Sequence, residues 1–168
     1  MKFLIYLTIF FICFTACKTT NEIYIVRHAE KSTEPAIDPH LTNEGKIRAD
    51  ALKNILKDKN IKAIFSTERT RTVETVTPLS KLINTPIQYY ANDTLLAFMQ
   101  RVIGLKKNAL IVGHSNTLLP MLDTLHLSHA IIVIPDNTYN NIFIIKTKGN
   151  RAIKVTETTY EAMYPAVK

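Results

Sequence analysis

The stretch Ile23-Tyr24-Ile25-Val26-Arg27-His28-Ala29-Glu30 decides how this chain is read. Its first four residues are apolar and short enough for a buried strand. An arginine and a histidine then stand at the carboxyl end of that strand. Ala109-Leu110-Ile111-Val112 repeats the arrangement, all apolar as a central parallel strand should be, and Gly113-His114 follows it. Ligands of open α/β sheets bind at the carboxyl ends of the strands. Both histidines therefore stand where such a sheet would place a site.

Working outward, residues 31–41 hold Pro35 and Pro39 among polar groups and read as a loop. Thr42 or Asn43 caps a helix through about Lys57, with Ile47, Ala51, Leu52, Ile55 and Leu56 on one face. Ala63-Ile64-Phe65 reads as a strand. A helix from Thr70 to Ile83 follows, kinked or offset by Pro78. Pro86 to Tyr90 is a third strand, and Asp93 is placed to cap a helix through Leu105. Thr117 to Leu125 reads as helix, and Asn141 to Thr147 and Ala152 to Thr158 as late strands. Strands alternating with helices predict an α/β three-layer sandwich, with a mostly parallel central sheet and helices on both faces.

Composition sets the outer bounds. The chain has 168 residues, 46% apolar and 21% charged, which fits one globular domain. Four glycines and seven prolines argue against a repeat or disordered protein. The formal charge of +7 favours anionic ligands: phosphate esters, nucleic acid or anionic lipid. The basic residues are scattered along the chain, so no nucleic-acid partner is expected.

Lys2 and the apolar run Phe3 to Ala16 precede Cys17. The run falls short of the about 20 residues a bilayer span needs and suits a signal-peptide core. Phe14-Thr15-Ala16-Cys17 resembles the lipobox of bacterial lipoproteins, although Phe14 stands where an aliphatic residue is usual. That resemblance implies cleavage before Cys17 and lipid on its sulfur and new amino end. The expected division is residues 1–16 as leader, 17–21 as tether and 22–168 as the folded domain. Losing Lys2 leaves a mature charge of +6. Lys18, with no Asp after the cysteine, resembles lipoproteins sent to the outer membrane. The expected location is the bacterial envelope, lipid-anchored and facing the periplasm. The chain's two cysteines are Cys13 and Cys17, so a mature domain holds no thiol for catalysis or for a metal.

Arg27, His28, Arg71 and His114 carry the chemistry. Phosphoryl transfer needs an in-line nucleophile and donors for the equatorial oxygens. Neutral imidazole is a competent nucleophile, because its unperturbed pKa is about 6.5. Arginine grips two phosphate oxygens at once with its planar fork. A second histidine, protonated, adds a further charged donor.

Four segments, in order, resemble the histidine phosphatase superfamily, the phosphoglycerate mutase-like fold. Val26-Arg27-His28-Ala29-Glu30 looks like its Arg-His-Gly/Ala-Glu signature. Leu41-Thr42 and Gly45 resemble the opening of the first helix. Phe65 to Thr75 resembles the stretch that places Thr67 at a common serine, Arg71 at the catalytic arginine and Thr75 at a typical threonine. Val112-Gly113-His114-Ser115-Asn116-Thr117 resembles the second-histidine motif. The resemblance implies a phosphohistidine on His28, a phosphate pocket of Arg27, Arg71 and His114, a small phosphorylated substrate, and no metal or organic cofactor. Arg69 competes with Arg71, but the spacing to Thr75 favours Arg71. The family's proton donor lies between the two histidine motifs, where Asp93 is the best-placed acid. Glu30, beside the nucleophile, is the alternative, or else it orients Arg27. His40, His126 and His129 read as surface or loop residues. Competing readings are a metal-dependent hydrolase built on His28, Asp38, His40 and His114, a non-catalytic phosphate-binding module, and a mutase. The short chain favours a phosphatase over a mutase. Oligomeric state is not legible.

Overall fold

The computed structural model describes residues 20–161. The proposed leader and tether, including Cys17, lie outside those residues except for Thr20 and Asn21. Ten regular elements follow one another: β1 (Thr20–Arg27), α1 (Asn43–Leu56), β2 (Ala63–Ser66), α2 (Thr70–Leu82), β3 (Ile87–Tyr89), α3 (Leu95–Gly104), β4 (Ala109–Gly113), α4 (Ser115–Asp123), β5 (Asn141–Lys148) and β6 (Arg151–Thr159). The strands form one sheet in the order β3-β2-β4-β1-β5-β6. The first four are mutually parallel, while β5 runs antiparallel to β1 and β6 antiparallel to β5. The predicted α/β architecture is the one observed.

Strand side chains alternate between faces, and this builds two cores. Ile23, Ile25, Phe65, Ile111 and Phe143 cluster with Met99, Val102, Leu118 and Leu122 of α3 and α4. Tyr24, Val26, Ile64, Leu110 and Val112 cluster with Leu52, Leu56, Val76 and Leu79 of α1 and α2. Because β1 and β4 are covered on both faces, their sequences are continuously apolar.

Several local expectations shift. Thr42 does cap α1, its hydroxyl accepting from the Gly45 N–H at 3.1 Å. Ala51, Leu52 and Leu56 are buried as expected, but the central stripe of α1 runs Gly45, Ala49, Leu52, Leu56, and Ile55 points outward with 37% exposure. That spacing of four, three and four follows one helical stripe, and Ile55 lies one residue off it. Helix α2 continues through Pro78 to Leu82. Asp93 does not cap α3: a short 3-10 turn, Asn92–Thr94, precedes the helix, and Thr94 takes the cap position without a side-chain hydrogen bond. Helix α4 begins at Ser115, two residues earlier than its periodicity indicates. His114 occupies its N-cap position, and the Thr117 hydroxyl accepts from the His114 N–H at 3.0 Å.

Candidate active site

The parallel strands bring the candidate side chains to one end of the sheet. Arg27 closes β1, and His28 follows it. The His28 N–H donates to the Gly113 carbonyl at 3.0 Å, so the backbone before each histidine is joined across β1 and β4. The two imidazoles lie edge to face, 5.5 Å between centroids. Arg71, at the start of α2, enters from β2: its Nη2 stands 3.4 Å from His114 Nδ1.

His28 is oriented through its own loop. Its Nδ1 is 2.8 Å from the Ala29 carbonyl, which only accepts, so Nδ1 carries the proton. Nε2 is left as a free lone pair and makes no hydrogen bond with any described residue. The Ala29 N–H donates to the Thr75 hydroxyl at 2.9 Å, and that hydroxyl donates to the Arg71 carbonyl at 2.7 Å. Thr75 thereby ties the nucleophile's loop to the helix carrying Arg71. Burial, with smaller contributions from Arg27, Arg71 and His114, pushes the His28 pKa down to about 3. The imidazole is therefore neutral across the whole ordinary pH range.

His114 departs from the sequence expectation. A guanidinium can only donate, so Nδ1 facing Arg71 is unprotonated, and the proton sits on Nε2, 3.0 Å from the Thr67 hydroxyl. Burial first, then the charges of Arg71, Arg69 and Arg27, lowers its pKa to about 4. The free site thus holds a neutral second histidine where a protonated one was expected. Thr67 takes part as this histidine's partner, and Arg69 adds positive potential, although Arg71 is the arginine in contact.

Arg27 is buried, and its Nη1 faces the Pro135, Asp136 and Thr138 carbonyls at 2.9 to 3.0 Å. Its guanidinium lies 4.4 Å from the centroid of the Tyr139 ring, and Asp136 stands 3.7 Å from Nη2. Tyr139 also approaches His28, at 6.0 Å. Nothing in the sequence of residues 131–140 marks this segment as part of a site. The Nε atoms of Arg27 and Arg71 are buried and have no hydrogen-bond partner among the described residues. Two orphaned cationic donors beside one nucleophile are costly unless an anion meets them.

Glu30 makes no hydrogen bond with Arg27. Arg48 holds it in a two-pronged pair, with Nε at 2.8 and 2.9 Å from its two carboxylate oxygens. Asp93 is exposed at the carboxyl end of β3, at the sheet edge. The alternative metal set is not gathered. Asp38 accepts from the Thr70 N–H and hydroxyl and pairs with Arg71, while His40 pairs with Glu74. No group of three or more His, Cys, Asp or Glu is placed to hold a metal among the described residues.

The family model of the histidine phosphatase superfamily (branch 1) matches residues 23–92, carrying Arg27, His28 and Arg71. That match spans 70 of the chain's 168 residues and marks its likeness to the superfamily. His114 lies beyond the matched stretch and is brought in by β4. The chain is similar in fold to the protein histidine phosphatase SixA in complex with tungstate, at TM-score 0.68 and 15% identity, covering 82% of this chain and 96% of that one. A phosphoglycerate mutase from Bacillus anthracis str. Sterne gives TM-score 0.61 and 13% identity over 85% and 93%. A mycobacterial glucosyl-3-phosphoglycerate phosphatase gives 0.59 and 10% over 86% and 100%. No curated protein matches the chain.

The depressed histidines are expected to make the domain acid-sensitive. An unfolded chain binds these two protons at the ordinary pKa of about 6.5, whereas the folded chain binds them only near 4 and 3. The unfolded state is favoured progressively as pH falls through that interval, and full stability is present above it. Denaturant midpoints measured between pH 7.5 and 4.5 should therefore fall less steeply in a His28→Gln/His114→Gln variant, by about two protons' worth of slope. Parallel curves for variant and parent would show that burial of the two rings exacts no such cost.

Proposed function

We propose that the chain is a phosphohydrolase that removes phosphate from a phosphomonoester through a phosphohistidine on His28. The observation that carries this is a neutral imidazole with a free Nε2, flanked by the buried Arg27 and the half-buried Arg71, whose Nε donors have no partner among the described residues. Nε2 attacks phosphorus, the N–P bond forms, and the bond to the ester oxygen breaks. The ring becomes cationic as this happens, and its Nδ1–H bond to the Ala29 carbonyl strengthens. Water then attacks phosphorus, the N–P bond breaks, and phosphate leaves. Arg27, Arg71 and His114 hold the equatorial oxygens. A bound dianion also cancels part of the positive charge that keeps His114 neutral, so binding moves His114 toward its protonated, donating form. The tungstate complex of the SixA fold neighbour supports a pocket for a tetrahedral oxyanion. Hydrolysis of an aryl phosphomonoester should be blocked by vanadate and unchanged by EDTA. Loss in chelator with recovery on adding zinc would instead support a metal-dependent hydrolase, despite the scattered donors. Transfer of the phosphoryl group to a second alcohol in preference to water would support the mutase reading.

The leaving oxygen needs a proton. Asp93 stays our first candidate, and Asp136, beside Arg27, is the rival that the structure adds. Asp→Asn at the true donor should slow alkyl esters by about 10²-fold or more and spare activated aryl esters, whose leaving groups need no proton. Comparing the two single variants on both esters assigns the role. Equal, small effects from both would mean that solvent supplies the proton.

We also propose that the enzyme is carried on the bacterial envelope by lipid on Cys17, outside the described residues, where it acts on envelope or scavenged phosphomonoesters.

A further inference from the structure

The end of the sheet opposite the phosphate site carries a second feature, organised by Asn108. Its side-chain carbonyl accepts from the Glu22 N–H at 2.9 Å, and its side-chain amide donates to the Lys59 carbonyl at 2.8 Å. Its backbone carbonyl accepts from the Lys62 N–H at 2.9 Å. One residue thus gathers the entry to β1, the loop of Lys59 and Lys62, and its own neighbours Lys106 and Lys107. Lys148 lies opposite Thr20 in the β1–β5 ladder, and Arg151 lies opposite Lys148 across the hairpin. All six cations are exposed, and none forms an ion pair with a described residue. Two carboxylates share this end, Glu22, which accepts from the Tyr24 phenol, and Asp58, so the six cations outnumber the acids. Scattered in the sequence, the basic residues converge in space. They converge where the chain arrives from Cys17.

We propose that this amino-end face of the sheet rests on an anionic lipid surface, with the phosphate site at the far end facing away from it. The proposal rests on the lipid-anchor reading above. Cys17 precedes Thr20 by three residues, so even a fully extended link spans at most about 11 Å. That is about one Debye length at physiological salt, so a domain held so closely keeps its cations within reach of the headgroup charge. An anchor at any loop around His28 or His114 would point the site into the lipid. An anchor at the start of β1 places the full length of the sheet between them.

The test uses the full chain expressed with its own leader, purified from membranes in detergent and reconstituted into vesicles. The vesicles are phosphatidylcholine alone or mixed with phosphatidylglycerol, each with a nitroxide headgroup lipid as quencher. The domain has no cysteine of its own beyond Cys17, so Lys107→Cys and Ile37→Cys place a fluorophore at either end. With phosphatidylglycerol present, the label at 107 should be quenched several-fold more than the label at 37. The tether alone leaves a residual difference, and the added part should be lost in phosphatidylcholine alone, in high salt, and in a Lys59→Glu/Lys62→Glu/Lys106→Glu variant that retains phosphomonoester turnover. Equal quenching at both ends, or a phosphatidylglycerol-dependent gain undiminished in the triple variant, overturns the proposal. Failure of the anchor reading shows separately, as protein that does not float with phosphatidylcholine vesicles at all. In that case salt-sensitive flotation with phosphatidylglycerol vesicles, lost in the triple variant, still supports the face, and its absence overturns it. RNA binding lost in the triple variant without any vesicle preference assigns the face to nucleic acid and also overturns the proposal.

Discussion

His28→Ala is expected to lower turnover of an aryl phosphomonoester by roughly 10⁴-fold or more, the scale of loss when a covalent nucleophile is removed. No acid-labile phosphoenzyme should form on rapid quenching. Arg27, Arg71 and His114 remain, so inorganic phosphate should still bind within a few-fold of its normal strength. That separation between lost turnover and retained binding distinguishes a missing nucleophile from a collapsed pocket. The variant should fold, because the ring it loses makes one side-chain hydrogen bond, to the Ala29 carbonyl, and lies outside the two strand cores. Near-normal turnover in this variant would remove the phosphohistidine mechanism and leave the chain as a phosphate-binding relative using some other group.

Gly45→Ala should be the most damaging single methyl in the domain. A Cβ at position 45 would lie 2.2 Å from the Glu30 carbonyl oxygen and 3.1 Å from its carbon. Both are backbone atoms, so no side chain can swing away. The same Glu30 carbonyl accepts from the Thr42 N–H at 2.9 Å, and the Glu30 side chain is clamped by Arg48, so the loop is held from two directions. Forcing it to move should cost roughly 3 kcal/mol, at the upper end of overpacking penalties. For a domain of this size that lowers Tm by about 6–12 °C. Glu30 is two residues from the nucleophile, so turnover should fall even below the new Tm. A calorimetric scan within 2 °C of the parent would show that α1 slides outward freely.

The sequence exposed the strands because each buried segment is covered on both faces and must be apolar throughout. It exposed His28, Arg71 and His114 because strand ends and helix starts converge in a parallel sheet, so short local motifs report a shared location. What it concealed depends on long-range partners. Glu30 looks like a free acid until α1 delivers Arg48 to it. Arg27 looks like a pure phosphate ligand until the segment before β5 lays three carbonyls and Tyr139 over it. The charge of His114 could not be read from its motif, since it follows from burial and from three arginines spread over two strand ends. Asp93 reads as a cap because an acid before two leucines usually caps, yet here a 3-10 turn shifts the helix start past it. The basic face was hidden for the same reason: its lysines are far apart in the chain and adjacent only around Asn108.

The position of β1 also governs when activity can arise. The first strand of the domain sits inside the sheet, between β4 and β5, and neither neighbour exists until long after β1 has been synthesised. The His28 amide waits for Gly113, and the Arg27 guanidinium waits for residues 135–138. Pairings of such long sequence separation close late, after the entropy of a large loop has been overcome. A nascent chain that has released fewer than about 140 residues has His28 but no pocket around it. The site is therefore a property of a chain synthesised through β5.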